Sequence, residues 1–326
     1  MTLRTRLTEK LGIKHPVLLA PMGGISGGRL AGAVTDAGGL GLIGGGYGEK
    51  DWLEREFAAA GNRRVGCGFI TWSLAKQPDL LDVVLAHRPA ALMLSFGDPR
   101  PFAKRLQAQE IALICQVQSC EHAVQALDAG AEIIVAQGTE AGGHGGSRAT
   151  LPFVPTIVDL VARRAPEAIV VAAGGIADGR GLAAALALGA EGILVGTRFY
   201  ASVESLGHDG AKARIVGASG EDTVRTSTFD AVRGYSWPDG IMGRALRNHF
   251  TGRWHGRERD LAGMIEGEMD RYRAAAARAD FDTAVVFTGE GADLIDEVLP
   301  AGEIVTRLVA DAERALGVAG KRVVPA

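Results

Sequence analysis

The stretch Ala168-Ile169-Val170-Val171-Ala172-Ala173-Gly174-Gly175-Ile176-Ala177-Asp178 decides the fold. Its first six residues are apolar and rich in β-branched side chains, the composition of a strand buried on both faces. The run stops at paired glycines, and Asp178 before Gly179-Arg180 is a residue type that caps a helix. The pattern returns as Gly192-Ile193-Leu194-Val195-Gly196, followed by Thr197-Arg198-Phe199. Apolar strands that run through a turn into a helix are the unit of a parallel sheet covered by helices.

Towards the N-terminus, six more such runs lie at 16–20, 39–43, 65–70, 91–96, 112–117 and 132–137, making eight within the first 200 residues. Helical patterns at 29–37, 51–60, 79–87, 101–109, 121–129, 158–164 and 181–188 alternate with them. Ser119 and Asp178 are placed to cap two of these helices, and Gly130 and Gly189 to close two. The set predicts a closed (β/α)₈ TIM barrel, an α/β fold, over an open doubly wound sheet. After residue 202 the alternation stops. A segment with Arg233, Arg244, Arg247, Arg253, Arg257 and Arg259, with Trp237 and Trp254, and with a helical run around 264–278 reads as a mostly helical cap inserted after the eighth strand. The spacing of Ile304, Leu308, Val309 and Leu316 predicts an amphipathic helix over 302–316 that returns to the barrel wall. The expected organisation is a barrel over 1–203, a cap or substrate domain over 204–285 and a returning segment over 286–326.

The chain has 326 residues and a net charge of −3, with lysine and arginine spread along it. That balance argues against a nucleic-acid surface or a polybasic membrane anchor. Residues 1–7 lack the apolar core and cleavage site of a signal peptide, and no apolar run reaches the ~18–20 residues that cross a bilayer. The expected location is the cytoplasm. Cys67, Cys115 and Cys120 are too few and too irregular for a disulfide framework or a metal site, and read as small buried hydrophobes. Glycine stands out: 46 residues, about twice the usual share of ~7%, set at the ends of apolar runs where a backbone turns sharply or meets a ligand.

Barrels bind ligands at the C-terminal ends of their strands, with phosphate in the loops after strands seven and eight. Ala173-Gly174-Gly175 and Gly196-Thr197 fall in those two loops, and their exposed N–H groups, each with a helix N-terminus behind, favour a dianionic phosphate. After strand one, Ala20-Pro21-Met22-Gly23-Gly24-Ile25-Ser26-Gly27-Gly28 offers a backbone platform for a flat ring. After strand six, Gln137-Gly138-Thr139-Glu140-Ala141-Gly142-Gly143-His144-Gly145-Gly146 carries an imidazole among glycines where barrel catalysts sit. Its affinity for protons near neutrality suits abstraction from an acidic carbon. His15, His87, His122, His208, His249 and His255 read as structural or solvated. These residues by themselves leave open a cofactor-free barrel isomerase or lyase acting on a sugar phosphate.

Ala20-Pro21-Met22, the stretch from Gln137 to His144, Ala173-Gly174-Gly175-Ile176 and Gly196-Thr197-Arg198-Phe199, in that order, resemble the nitronate monooxygenase family, formerly called 2-nitropropane dioxygenases. The resemblance spans about residues 10–200 and resumes over 289–316. The Glu140–His144 stretch is shared with flavin-dependent enoyl-acyl-carrier-protein reductases of the same superfamily, and NAD(P)H:quinone reductases are among the relatives. The resemblance implies a barrel holding FMN non-covalently, with a small-molecule substrate under the cap and O₂ as oxidant. Carried over by motif, Ala20, Pro21, Met22 and Gly23 lie by the flavin ring, and Gln137, Gly142 and Gly143 line its edge. Ala173, Gly174, Gly175, Gly196 and Thr197 hold the phosphate, and His144 is the catalytic base or orients the substrate. Two ring contacts depart from the pattern: Gln116 stands where relatives commonly carry Lys, and Gly68 where many carry Asn. The alternative within the superfamily is an NAD(P)H-dependent FMN reductase of enoyl thioesters or quinones. The state of assembly, homodimer or otherwise, is left open.

Overall fold

All eight predicted strands form, and they pair in parallel in the computed structural model, which describes residues 3–322. In chain order they are β1 (Val17–Leu19), β2 (Leu42–Gly46), β3 (Gly66–Ile70), β4 (Ala91–Ser95), β5 (Ala112–Val117) and β6 (Ile133–Gln137), then, after a short strand β7 (Gly143–Gly145) outside this sheet, β8 (Ile169–Ala173) and β9 (Ile193–Val195). The order across the sheet is β1-β9-β8-β6-β5-β4-β3-β2. Leu40, just before β2, closes the ring against β1: the Leu19 amide donates to the Leu40 carbonyl and the Leu40 amide to the Val17 carbonyl, each at 3.0 Å. Closure leaves the sheet without an unpaired edge.

Alternation along each strand sorts residues between two cores. Val17, Leu19, Leu113, Cys115 and Val117 pack outward against the helices, while Leu18, Met93, Ile114, Val135 and Val171 fill the barrel interior. The helix Arg6–Leu11 adds Leu7 and Leu11 to the interior cluster, so the N-terminal mouth is plugged with side chains. Truncating a residue such as Leu18, which is fully buried, to Ala costs about 2–5 kcal/mol. The same two-residue period carries Gly68, Gln116, Gln137 and Ala173 to inward-facing positions at the opposite end of the barrel. A glycine, two amides and an alanine there leave space where the layers below are solid.

The helix before β8 runs from Thr150 to Arg164 and so begins earlier than its pattern suggested; Pro152 and Pro155 stand in its opening turns and broke the periodic reading. Beyond β9, the helices Asp209–Val216, Thr228–Arg233, His249–Trp254, Glu258–Ala262 and Ile265–Ala277 form a cap, with its own small core of Phe229, Val232, Phe250, Trp254, Leu261 and Tyr272. Beside these helices lie two strands absent from the sequence reading, β10 (Thr223–Thr226) and β11 (Met242–Leu246). β11 pairs antiparallel with β10 on one side and with β7 on the other. Arg225 and Arg244 at their centres interrupt any apolar pattern, so pairing rather than propensity makes these strands. The final helix, Ala301–Gly320, packs on the helices Gly179–Ala187 and Gly28–Asp36 and completes the outer wall.

Candidate active site

A cavity of about 510 Å³ opens at the C-terminal end of the barrel, between the strand-end loops and the cap. That is within the ~300–1,000 Å³ of small-molecule sites. Every site residue picked out in the sequence lines it: Ala20, Pro21, Met22 and Gly23 from the first loop, Gly68 and Gln116 from β3 and β5, Gln137, Gly142, Gly143 and His144 from the sixth loop, Ala173, Gly174 and Gly175 after β8, and Gly196 with Thr197 after β9.

One side of the cavity is almost bare main chain. The turn at Met22 is held by Ser26, which is fully buried: the Met22 amide donates to Ser26 Oγ at 2.6 Å, and the Ser26 amide to the Met22 carbonyl at 2.9 Å. Pro21 closes on β3 so tightly that a Cβ at Gly68 would stand 2.3 Å from Pro21 Cγ. The proline ring therefore takes the space that a side chain at position 68 would need. Gly174 and Gly175 lie at φ +106° and +70°, a region that L side chains disfavour, which turns the chain abruptly at the end of β8. Asp178 caps the helix Gly179–Ala187 with its own carboxylate, accepting from the Arg180 and Gly181 amides. The N-terminus left facing the cavity is that of Thr197–Tyr200, after β9. Thr197 Oγ1 there accepts from the Gly289 amide at 3.0 Å, tying the loop to the returning segment.

The other side is built from side chains. His144 sits on β7, opposite Gly243 of β11. Its Nε2 is 2.9 and 3.0 Å from the two carboxylate oxygens of Asp230, on the cap helix Thr228–Arg233. Both side chains are more than nine-tenths buried, at 8% and 7% exposure. The indole of Trp237 stacks on the imidazole at 3.5 Å and 6°. Burial pushes the His144 imidazole below its ordinary value of 6.5, with the Asp230 carboxylate pulling the other way. Gln137 anchors the loop, donating to the His144 carbonyl at 3.0 Å while its Oε1 accepts from Gln118 at 3.0 Å. Arg225 clamps the same loop from the cap through the carbonyls of Gly145 and Thr139, at 3.0 and 2.6 Å, and also donates to the Met242 carbonyl of β11 at 2.5 Å. Arg244 adds a hydrogen bond to the Thr139 carbonyl at 2.9 Å and an ion pair to Glu290 at 2.8 Å.

Tyr47, Tyr235, Trp237 and Phe287 complete an aromatic wall in which Tyr47 and Tyr235 stack at 3.8 Å. The sequence reading missed Asp230, Tyr235 and Phe287. Their signal was weak: nothing near Asp230 forms a motif, and it meets His144 across 86 positions. The other histidines play local parts: His208 caps a helix through its ring nitrogen and His87 stacks on Phe57. Cys67 and Cys115 are buried, with burial pushing both thiols up to about 12, and Cys120 is half-buried at a helix start.

A closed barrel with a buried histidine–carboxylate pair at its C-terminal end, beside a glycine-lined floor, defines a barrel enzyme with a deep site at that end. The comparisons with known proteins carry this further. The chain matches the family model for nitronate monooxygenase over residues 4–63 and 71–311. It is 33% identical to the nitronate monooxygenase of Neurospora crassa, with 92% of this chain and 90% of that protein aligned. FabK from Thermotoga maritima superposes with a TM-score of 0.87 at 33% identity, over 99% of this chain and 100% of that one. The nitroalkane oxidase of Streptomyces ansochromogenes gives 0.80 at 28% identity, over 97% and 100%. The chain belongs to the nitronate monooxygenase family and is an oxidoreductase. No helix among the described residues is long and apolar enough to cross a membrane.

Proposed function

We propose that this enzyme holds FMN on the glycine-lined side of the cavity and oxidises alkyl nitronates with O₂, His144 serving as base when the neutral nitroalkane is the substrate. The observation that carries the reading is the buried His144–Asp230 pair facing a floor from which side chains are excluded. The residues fit the cofactor. Pro21, Met22, Gly23 and Gly68 offer flat main chain to a ring, Gln116, Gln137, Gly142 and Gly143 edge it, and Ala173, Gly174, Gly175, Gly196 and Thr197 supply backbone donors to a phosphate. In this reading residues 1–203 form the cofactor barrel, 204–285 cover the substrate and 286–326 return to the barrel, and the free thiols suit a reducing cytoplasm.

FMN, when bound, supplies the electron chemistry between substrate and O₂. The protein supplies position and proton handling. Asp230 accepts from Nε2–H and so fixes the tautomer, which leaves the Nδ1 lone pair to take a proton from the α-carbon of a nitroalkane. Once protonated, the ring keeps a carboxylate at hydrogen-bond distance to stabilise its charge. Trp237, covering one face of the imidazole, keeps water from that side. A nitronate that arrives as the anion needs no such step.

FMN-loaded protein mixed anaerobically with propyl 2-nitronate, NADH or NADPH in parallel tests the reading. Rapid bleaching of the flavin by the nitronate alone is the expected result. Bleaching by a pyridine nucleotide with none by the nitronate would overturn it in favour of a thioester or quinone reductase, the reading to which the FabK likeness points. A colourless protein that FMN cannot reconstitute would return the cofactor-free barrel to the field.

A further inference from the structure

One charged side chain on the cavity wall makes no hydrogen bond to any described residue. Arg233 ends the helix that carries Asp230, and no other arginine or lysine among the described residues lines the cavity. Its side chain is 23% exposed, and its single ionic neighbour is Asp230, with Nη1 at 4.0 Å from Oδ1. Nη1 is buried and makes no hydrogen bond. The guanidinium lies over the rings of Tyr235 and Phe287, at 5.0 and 5.5 Å, with both rings on the cavity wall. Four other cap arginines have acceptors within the protein. Arg225 and Arg244 hold the His144 loop, and Arg253 and Arg257 pair with Glu268 and Asp260.

Partly buried guanidinium groups normally satisfy their N–H groups, because a desolvated donor left unpaired costs about 1–3 kcal/mol. Asp230 does not serve as the acceptor, since its Oδ1 stands 4.0 Å from Nη1, beyond hydrogen-bond distance. The unspent donors lie beside the imidazole: Phe287 is 5.4 Å from the His144 ring, and Asp230 joins the two residues. Arg233 lines the cavity with its guanidinium unmatched by a protein acceptor, and a flat ligand group with two oxygens on one atom matches such a fork.

We infer that Arg233 is the receptor for the planar O–N–O group of the substrate, pairing with the two oxygens of a nitronate or nitro group while His144 faces the adjacent carbon. The assignment rests on the nitro-substrate reading above and adds the group that recognises it. The aromatic rings beneath the guanidinium keep it in place and keep water from its face, so the charge is strongest towards the cavity.

Nitrate, a planar oxyanion that undergoes no turnover, separates this inference from the reaction. FMN-loaded protein titrated with sodium nitrate should bind it saturably, read by the flavin spectrum and by tryptophan fluorescence. Arg233→Met should weaken that binding about 10–100-fold, as expected for a charge-assisted pair. Arg233→Lys should recover part of the loss, keeping the charge without the fork. The KM for propyl 2-nitronate should rise in step with the nitrate Kd while kcat changes far less, the signature of lost uniform binding. A residue that only steadied Asp230 would leave nitrate affinity intact and move the acid limb of the pH–rate profile, and that result overturns the inference. Absence of nitrate binding by the unmodified protein overturns it equally. Should Arg233→Met shed its flavin, Arg233→Lys decides, since nitrate affinity unchanged in that variant would refute the fork. Nitrate binding that depends on Arg233, in a protein whose flavin no nitronate reduces, leaves the receptor standing and removes the nitronate reading.

Discussion

The two ends of the cavity are made of different material. On the floor, from Pro21 through Gly68 to Gly174 and Gly175, the surface is main chain, and each segment lies within or just after its own barrel strand. On the wall below the cap, His144, Arg233 and Trp237 present side chains from three separate segments, with Asp230 hydrogen-bonded behind His144. A main-chain surface is specified locally, by short glycine-bearing runs whose geometry hardly depends on the rest of the chain. A side-chain constellation exists only after distant segments have packed. The floor suits a constant ligand and the wall a variable one.

Substitutions on each side should behave accordingly. The largest effect belongs to His144→Asn, which should slow turnover of a neutral nitroalkane by about 10²–10⁴-fold and of preformed nitronate far less, with FMN retained. Equal losses on both substrates in steady-state assays would mean that His144 positions ligand and moves no proton. Asp230→Asn should reduce nitroalkane turnover by about 10–100-fold, the worth of one charge-assisted hydrogen bond. Its pH behaviour has a defined sign. The base works when neutral, and burial already holds His144 below 6.5, so the native rate is lost only as pH falls through that lowered value. Loss of the Asp230 charge, which raises it, should push the acid limb of the pH–rate profile lower still. A limb that moves to higher pH would contradict the pairing.

On the floor, Gly175→Ala should weaken FMN retention by about tenfold, because a Cβ at φ +70° costs about 1–2 kcal/mol and meets Glu140 Cβ at 3.2 Å. Fluorescence of flavin released on dilution reads it. The same variant should leave the nitronate KM of the loaded enzyme unchanged, which is the sharpest separation of floor from wall. Smallest of all, Trp237→Phe keeps a ring over His144 but loses the 3.2 Å bond from Nε1 to the Tyr47 hydroxyl. It should cost about 1 kcal/mol and lower Tm by less than about 4 °C.

How far the molecule was legible in its sequence follows the same division. Eight apolar runs gave the barrel, because a parallel strand buried on both faces writes its burial into consecutive residues. The glycine segments and the His144 loop were legible for a related reason, each being a strand end followed by its own turn. β10 and β11 were not, since Arg225 and Arg244 look like surface charge until the carbonyls of Thr139 and Gly145 are seen to receive them. Arg233 was one of eleven arginines within residues 204–285, with nothing to separate it from the rest. What distinguishes it is an unpaired donor on a side chain that lines the cavity, and neither feature has a spelling in a sequence.

The pairing of β7 with β11 has an evolutionary and an engineering consequence. His144 is encoded with the barrel, yet it is hydrogen-bonded into the sheet of the cap. A chimera that exchanged only residues 204–285 would leave the imidazole on a loop stripped of its ladder, its carboxylate and its Arg225 clamp. The transferable cassette is therefore discontinuous: the cap together with residues 138–146. Drift in substrate preference among relatives should show up as paired changes in those two stretches, while the glycines of the floor stand apart from the exchange.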